Sequence, residues 1–140
     1  IQTEGKNCLV VGRSNIVGRP ISILMSLRGK YGNSTVTLAH SKSKNLTELT
    51  QKADIIIMAL GIPEFLKSNM IKKDSTVIDV GITRVEDKSK KRGYTIKGDV
   101  DFDSVSKKVK FLTPVPGGVG PMTIAMLLQN TLDARLSSLS

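Results

Sequence analysis

Cys8-Leu9-Val10-Val11-Gly12-Arg13-Ser14-Asn15-Ile16-Val17-Gly18 is an apolar, β-rich run that ends on a glycine and passes directly into a helical pattern. Its apolar content is continuous, which suits a strand covered on both faces, as strands of parallel sheets are. Runs of the same kind recur at residues 35–39, 54–59 and 76–80, with a weaker fifth at 109–112. Between them lie helical patterns at residues 17–27 with Pro20 in the first turn, at 46–52 behind an Asn45/Glu48 capping pair, and at 122–136. Two shorter ones fall at 67–71 and 103–107. Strands alternating with helices in this way predict one Rossmann-like α/β domain over residues 1–140, a doubly wound parallel sheet of about five strands with helices on both faces. Residues 85–97 break the pattern: a run of charges around Gly93 and Tyr94-Thr95-Ile96 reads as an exposed loop or an irregular hairpin.

Composition narrows the function. The 140 residues are 39% hydrophobic, enough for the core of one ordinary domain. Cys8 is the single cysteine and lies in an apolar run, so disulfides are excluded and a reducing compartment is expected, the cytoplasm or alternatively a mitochondrion. No apolar stretch reaches the length of a membrane span, so no membrane partner is expected. The chain opens on Ile1 and a linker-like stretch to Lys6, which suggests a piece of a longer polypeptide. A formal charge of +9 raises the question of nucleic acid, but the basic residues are scattered and aromatics make up only 4%, leaving no stacking platform. A solvated lysine surface is the better reading, with no nucleic acid as partner.

In a doubly wound sheet ligands bind beyond the carboxyl ends of the strands, where strand order reverses. After the first strand, Gly12 to Gly18 resembles a junction that holds a pyrophosphate on helix amides, though glycine stands at relative positions one and seven rather than one, three and six, with Ser14 in third place. A plain strand-to-helix turn is the alternative. After the second strand comes His40-Ser41-Lys42-Ser43-Lys44. An NAD enzyme usually places a carboxylate about twenty residues beyond its glycine loop, for the ribose hydroxyls. Here there is none; a hydroxyl, a lysine and the Arg13 guanidinium instead suit the extra phosphate of NADP. His40 alone is better read as part of an ordinary polar loop. Gly61 follows the third strand on the adenosine side and Gly81-Ile82 the fourth, toward the nicotinamide. Asp79 and Asp99 sit among apolar residues and glycines and are expected to be structural carboxylates bonded to loop amides.

Thr113-Pro114-Val115-Pro116-Gly117-Gly118-Val119-Gly120-Pro121-Met122-Thr123 holds three of the five prolines and three of the twelve glycines. Proline lacks an amide donor and glycine weakens either regular element, so the segment is a rigid loop whose backbone another molecule can approach. Pro121 suits the first turn of the following helix, turning free amides toward the loop. A tight connector with no ligand remains the other reading. The chain offers no paired carboxylates, no nucleophile-His pair and no metal cluster in its sequence; hydride transfer requires none of them.

On these motifs, from Gly5-Lys6 through Val11-Gly12-Arg13-Ser14, His40-Ser41, Gly61-Ile62-Pro63, Asp79-Val80-Gly81-Ile82 and Gly98-Asp99-Val100 to the eleven residues ending at Thr123, the sequence resembles the NADP-binding domain of bifunctional methylenetetrahydrofolate dehydrogenase/methenyltetrahydrofolate cyclohydrolases. The resemblance covers nearly the whole chain. It implies that Gly12, Arg13, Ser14, Ser41, Gly61, Gly81, Ile82 and Thr123 bind NADP, with Arg13 and Ser41 at the 2′-phosphate. It further implies that Pro116, Gly117, Gly118, Val119 and Gly120 line a cleft shared with folate. Leu60 departs from the smaller or hydroxyl residue of the family pattern. The family's catalytic lysine, its tyrosine partner and its folate-binding acid lie in an amino-terminal domain, so no catalytic residue is expected in this chain. A homodimer and a place in one-carbon metabolism feeding purine biosynthesis are implied as well. Two other readings stay open: the NADP module of another dehydrogenase, such as the shikimate type, and a basic nucleic-acid-binding module.

Overall fold

The structure, a computed structural model, describes residues 1–139. Five strands form one parallel sheet: β1 (Asn7–Val11), β2 (Thr35–Ala39), β3 (Ile55–Met58), β4 (Thr76–Asp79) and β7 (Phe111–Leu112), in the order β2-β1-β3-β4-β7. The chain leaves β1 for β2 on one side and returns to β3 on the other, so strand order reverses between β1 and β3. This is the Rossmann-like α/β arrangement that the alternating runs predict.

Because strand side chains alternate between faces, the sheet divides its apolar residues into two layers. Leu9, Val11, Ile56, Met58 and Val77 pack on one face with Leu66, Ile71, Val100 and Val105. Cys8, Val10, Ile55 and Ile57 pack on the other with Met25 of α1 (Gly18–Ser26). Burial pushes the Cys8 thiol up to about 11, so it behaves as a small apolar residue. Three strands match the expectation of burial on both faces. β2 does not: only Ala39 is buried and Leu38 is 37% exposed, since an edge strand has a neighbour on one side only.

The remaining elements carry local corrections. α2 (Leu46–Lys52) keeps its predicted bounds, but Asn45 adopts a left-handed conformation (φ 56°) without a side-chain cap, and Glu48 bonds Lys52 one turn on. The expected capping pair is absent because a capping side chain reaches the helix amides from an extended backbone, which Asn45 does not have, and Glu48 is left to pair with Lys52. The pattern at 67–71 is a single 3₁₀ turn, Ser68–Met70, and that at 103–107 is the short α3 (Phe102–Val105), capped by Asp101. Residues 85–97 form most of a regular antiparallel ribbon, β5 (Thr83–Glu86) with β6 (Tyr94–Lys97), rather than an open loop. Arg84 and Arg92 both lie over the Tyr94 ring, 4.9 and 5.2 Å from its centroid.

α4 (Val119–Ser137) begins three residues before the periodicity predicts, with Pro121 inside its first turn. No residue of this helix is buried, and Ile124, Leu127, Leu128 and Leu132 are among its exposed apolar side chains. None of the described helices is long and apolar enough to cross a membrane.

Candidate functional site

Along the carboxyl edge of the sheet the strand pairing runs on into the loops, with Gly12 donating to Ala39, Ala59 to Val11, Val80 to Met58 and Thr113 to Val77. The loops holding Ser41, Gly12 to Ser14, Gly61, Gly81-Ile82 and Thr113 onward therefore stand in a row. Every predicted contact residue lies on this edge.

At the β1 end the glycines answer to the chain itself. Gly12 has φ 124°, and a Cβ there would stand 2.1 Å from the Ala59 carbonyl oxygen; a Cβ on Gly18 would stand 1.8 Å from the Gly12 carbonyl oxygen. Only bare α-carbons let the loop, helix and third strand meet this closely. Ser14 Oγ accepts the N–H groups of Val17 and Gly18 at 3.1 and 3.4 Å, so these two amides at the entry to α1 are already satisfied and the hydroxyl hydrogen is what Ser14 can offer an anion. Arg13 and Ser41 are exposed on neighbouring strand ends. The turn holding Ser41 is closed on itself: His40 N–H donates to Ser43 Oγ, Ser43 N–H to the His40 carbonyl, and Lys42 N–H to His40 Nδ1. His40 is thus a turn residue, as its sequence suggests.

The proline-glycine loop closes the other end of the row. With Ile82, Ile96, Val115 and Thr123 it surrounds a mainly apolar cleft of about 300 Å³, in which Pro116, Gly117, Gly118, Val119 and Gly120 all take part. The Val115–Pro116 peptide is cis and Gly117 has φ 103°. A Cβ on Gly118 would meet the Pro114 carbonyl oxygen at 2.4 Å, whereas one on Gly120 would meet nothing within 4 Å. Gly118 is therefore required by the loop, and Gly120 is not. Thr123 bonds back to the Val119 carbonyl at 3.0 Å. Ile96 and Val115 are lining residues that the sequence reading missed; the alternation of Tyr94-Thr95-Ile96 was the available signal for the first.

Two buried carboxylates hold these loops together. Asp79 Oδ1 accepts from the amides of Gly81 (2.9 Å) and Asp99 (3.0 Å), and Oδ2 from Val100 (3.0 Å). Asp99 Oδ2 accepts from Leu60 (2.6 Å) and Gly61 (3.0 Å). The Asp79 amide in turn donates to Thr113 Oγ1 at 2.8 Å, tying the proline-glycine loop to β4. Burial pushes the Asp79 carboxyl up, while its three amide donors pull the other way. Gly81 and Gly98 make room for the pair: a Cβ on Gly98 would stand 2.0 Å from Asp79 Oδ2, and one on Gly81 2.3 Å from Asp99 Oδ1. Gly81 thus has an internal reason to be glycine, whatever flat ligand lies beyond it.

Residues 1–138 match the model of the tetrahydrofolate dehydrogenase/cyclohydrolase NAD(P)-binding domain. The chain belongs to that family. It is 69% identical over 135 residues to the bifunctional protein FolD of Flavobacterium johnsoniae, covering 96% of this chain and 46% of that protein. Among solved structures, the Campylobacter jejuni FolD superposes with a TM-score of 0.87 at 47% identity, over 99% of this chain and 45% of that one. The Trypanosoma brucei FolD, solved with NADP cofactor and an inhibitor, gives 0.90 at 40% identity over 99% and 46%. The chain spans about half the length of these family members.

The carboxylate pair yields a test. Gly98→Ala must displace Asp79, at a cost of about 1–3 kcal/mol for overpacking. Asp79→Ala removes the nearer obstruction, leaving Val115 Cγ2 at 2.8 Å, together with the acceptor of three amides. The double variant is expected to be more stable than the sum of the single losses, by about 0.5–3 kcal/mol. Urea midpoints of the four proteins measure it; simple additivity means the two residues do not meet.

Proposed function

We propose that the whole protein oxidises 5,10-methylenetetrahydrofolate with NADP and hydrolyses the resulting 5,10-methenyl compound to 10-formyltetrahydrofolate, and that this chain supplies the cofactor seat and one wall of the folate cleft. The observation that carries the reading is the apolar cleft between Ile82 and the proline-glycine loop, with the bare α-carbon of Gly120 facing open space at its rim. Bound there, the nicotinamide of NADP would accept a hydride from the folate carbon. The chain's own contribution is position: apolar walls that exclude water, and loops fixed by buried hydrogen bonds.

Cofactor choice is set at the far end of the row. Arg13 and Ser41 leave from neighbouring strand ends, no carboxylate stands among residues 40–44, and Ser14 keeps a hydroxyl donor. This set fits a 2′-phosphate and contains nothing to repel it. The Trypanosoma brucei relative, solved with NADP, supports the same choice. Asp79 and Asp99 do not serve as acid or base, because five loop amides occupy three of their four oxygens. Groups that move protons come from the other half of the protein, and the apolar surface of α4 suits contact with that half. The β5–β6 ribbon suits a homodimer contact; Ile96 turns into its own cleft, which leaves the Arg84-Tyr94-Arg92 stack as the part available to a partner subunit. The reading places the enzyme in one-carbon metabolism serving purine biosynthesis, in the cytoplasm.

Calorimetry on the full-length protein is expected to give NADP an affinity at least about tenfold above NAD, and Arg13→Ala is expected to remove most of that preference, as loss of a charge-assisted contact worth roughly 1.5–3 kcal/mol would. An Arg13→Ala protein that loses both cofactors equally contradicts the assignment.

Gly120→Ala meets no atom of the chain, so its melting temperature should fall less than that of the core truncation Ile56→Ala. Its dehydrogenase kcat/KM should nevertheless drop about tenfold or more, equivalent to roughly 1.4 kcal/mol of transition-state binding. Normal turnover would make the loop a connector and nothing else.

In sedimentation the full-length protein is expected to run as a dimer, and Tyr94→Ala with Arg84→Ala to weaken it. A wild-type protein that stays monomeric at high concentration counts against the ribbon as an interface.

A further inference from the structure

We propose that Asp99 is a positioning residue for the cofactor, holding the loop after β3 and the loop after β4 at a fixed separation on one carboxylate. The two oxygens do different work. Oδ2 takes both amides of the Leu60-Gly61 turn, at 2.6 and 3.0 Å. Oδ1 is buried and has no hydrogen-bond partner among the described residues, yet it lies against the α-carbon of Gly81, where a side chain would begin 2.3 Å away. An α-carbon hydrogen directed at a carboxylate oxygen is a weak attraction, well short of what an N–H donor supplies.

That half-paired state is informative. Burying a carboxylate oxygen without a donor is costly, so a residue present for stability alone would have both oxygens served. What the arrangement supplies is distance. Gly81 is held from two sides, its N–H on Asp79 Oδ1 at 2.9 Å and its α-carbon on Asp99, so Ile82, which lines the cleft, is presented at one height above the sheet. Gly61 is held by the same Asp99 with a φ of 73°. The inference rests on the reading of Gly61, Gly81 and Ile82 as cofactor contacts.

Asparagine at this position separates spacing from stability. Its amide oxygen can keep both bonds to Leu60 and Gly61, while its NH₂ group must face the Gly81 α-carbon, replacing an attraction by a repulsion between hydrogens. In the full-length enzyme, Asp99→Asn is expected to melt within about 3 °C of wild type. Its KM for NADP should rise about fivefold or more, with the folate KM changed less than about twofold. Asp99→Ala, which releases both loops, should raise the NADP KM further and also lower the melting temperature. An Asp99→Asn enzyme with wild-type KM for NADP overturns the proposal, as does one whose two KM values rise together, or one that fails to fold, since stability would then be what Asp99 supplies. Arg13→Ala, at the other end of the row, tells the two failures apart. If it weakens NADP and Asp99→Asn does not, only the positioning role falls; if it leaves NADP untouched, the seat itself lies elsewhere.

Discussion

The site depends on a reciprocal exchange between two aspartates and two glycines. Asp79 occupies the space where Gly98 would carry a side chain, and Asp99 the space where Gly81 would. Each carboxylate thereby reaches the amides of a loop it does not belong to, and four hydrogen bonds close the space between β3, β4 and the segment leaving β6. In a dry interior such bonds are strong, and unmade ones are costly, so the loops cannot drift independently. Thr113, bonded to the Asp79 amide, extends this order to the proline-glycine loop. The cleft owes its shape to this buried polar layer more than to the apolar residues that line it.

Much of the fold was legible because its signals are local. Cys8 to Val11, Ile55 to Met58 and Thr76 to Asp79 announce buried strands by composition, and Leu46 to Lys52 a helix by period. What was not legible depends on neighbours distant in sequence. Nothing in Thr35 to Ala39 says that it forms an edge, and its exposure follows from the order β2-β1-β3-β4-β7. The aspartates could be recognised as structural from their apolar surroundings, but apart from Gly81, two residues from Asp79, their amide partners lie 20 to 39 residues away and could not. Gly12, Gly18 and Gly81 read as places for a ligand to approach. Each is first a place where the chain approaches itself, and a glycine pattern alone cannot separate the two. Gly120 can be separated, because the structure leaves empty the space its side chain would fill.

α4 follows from the same logic in reverse. Its 19 residues run from the rim of the cleft with no buried side chain and with Ile124, Leu127, Leu128, Leu132 and Leu136 exposed. A helix that exposes this many large apolar side chains gains stability when something covers them. The chain accounts for about half of its relatives' length. Since α4 starts on Gly118 and Val119, whatever covers it also sets the direction in which the proline-glycine loop enters the helix.

These two dependencies divide the control of the site. The Gly81–Ile82 end of the cleft is fixed from within, by carboxylates that stand under the loops after β3 and β4. The proline-glycine wall is tied to β4 through Thr113 at its start and runs at its other end into a helix with no buried residue. Under the proposed function the first would seat the cofactor and the second would face the folate, and hydride transfer is sensitive to small displacements of the reacting partners. On that reading the chain itself anchors the seat of the cofactor more firmly than the wall that faces the substrate.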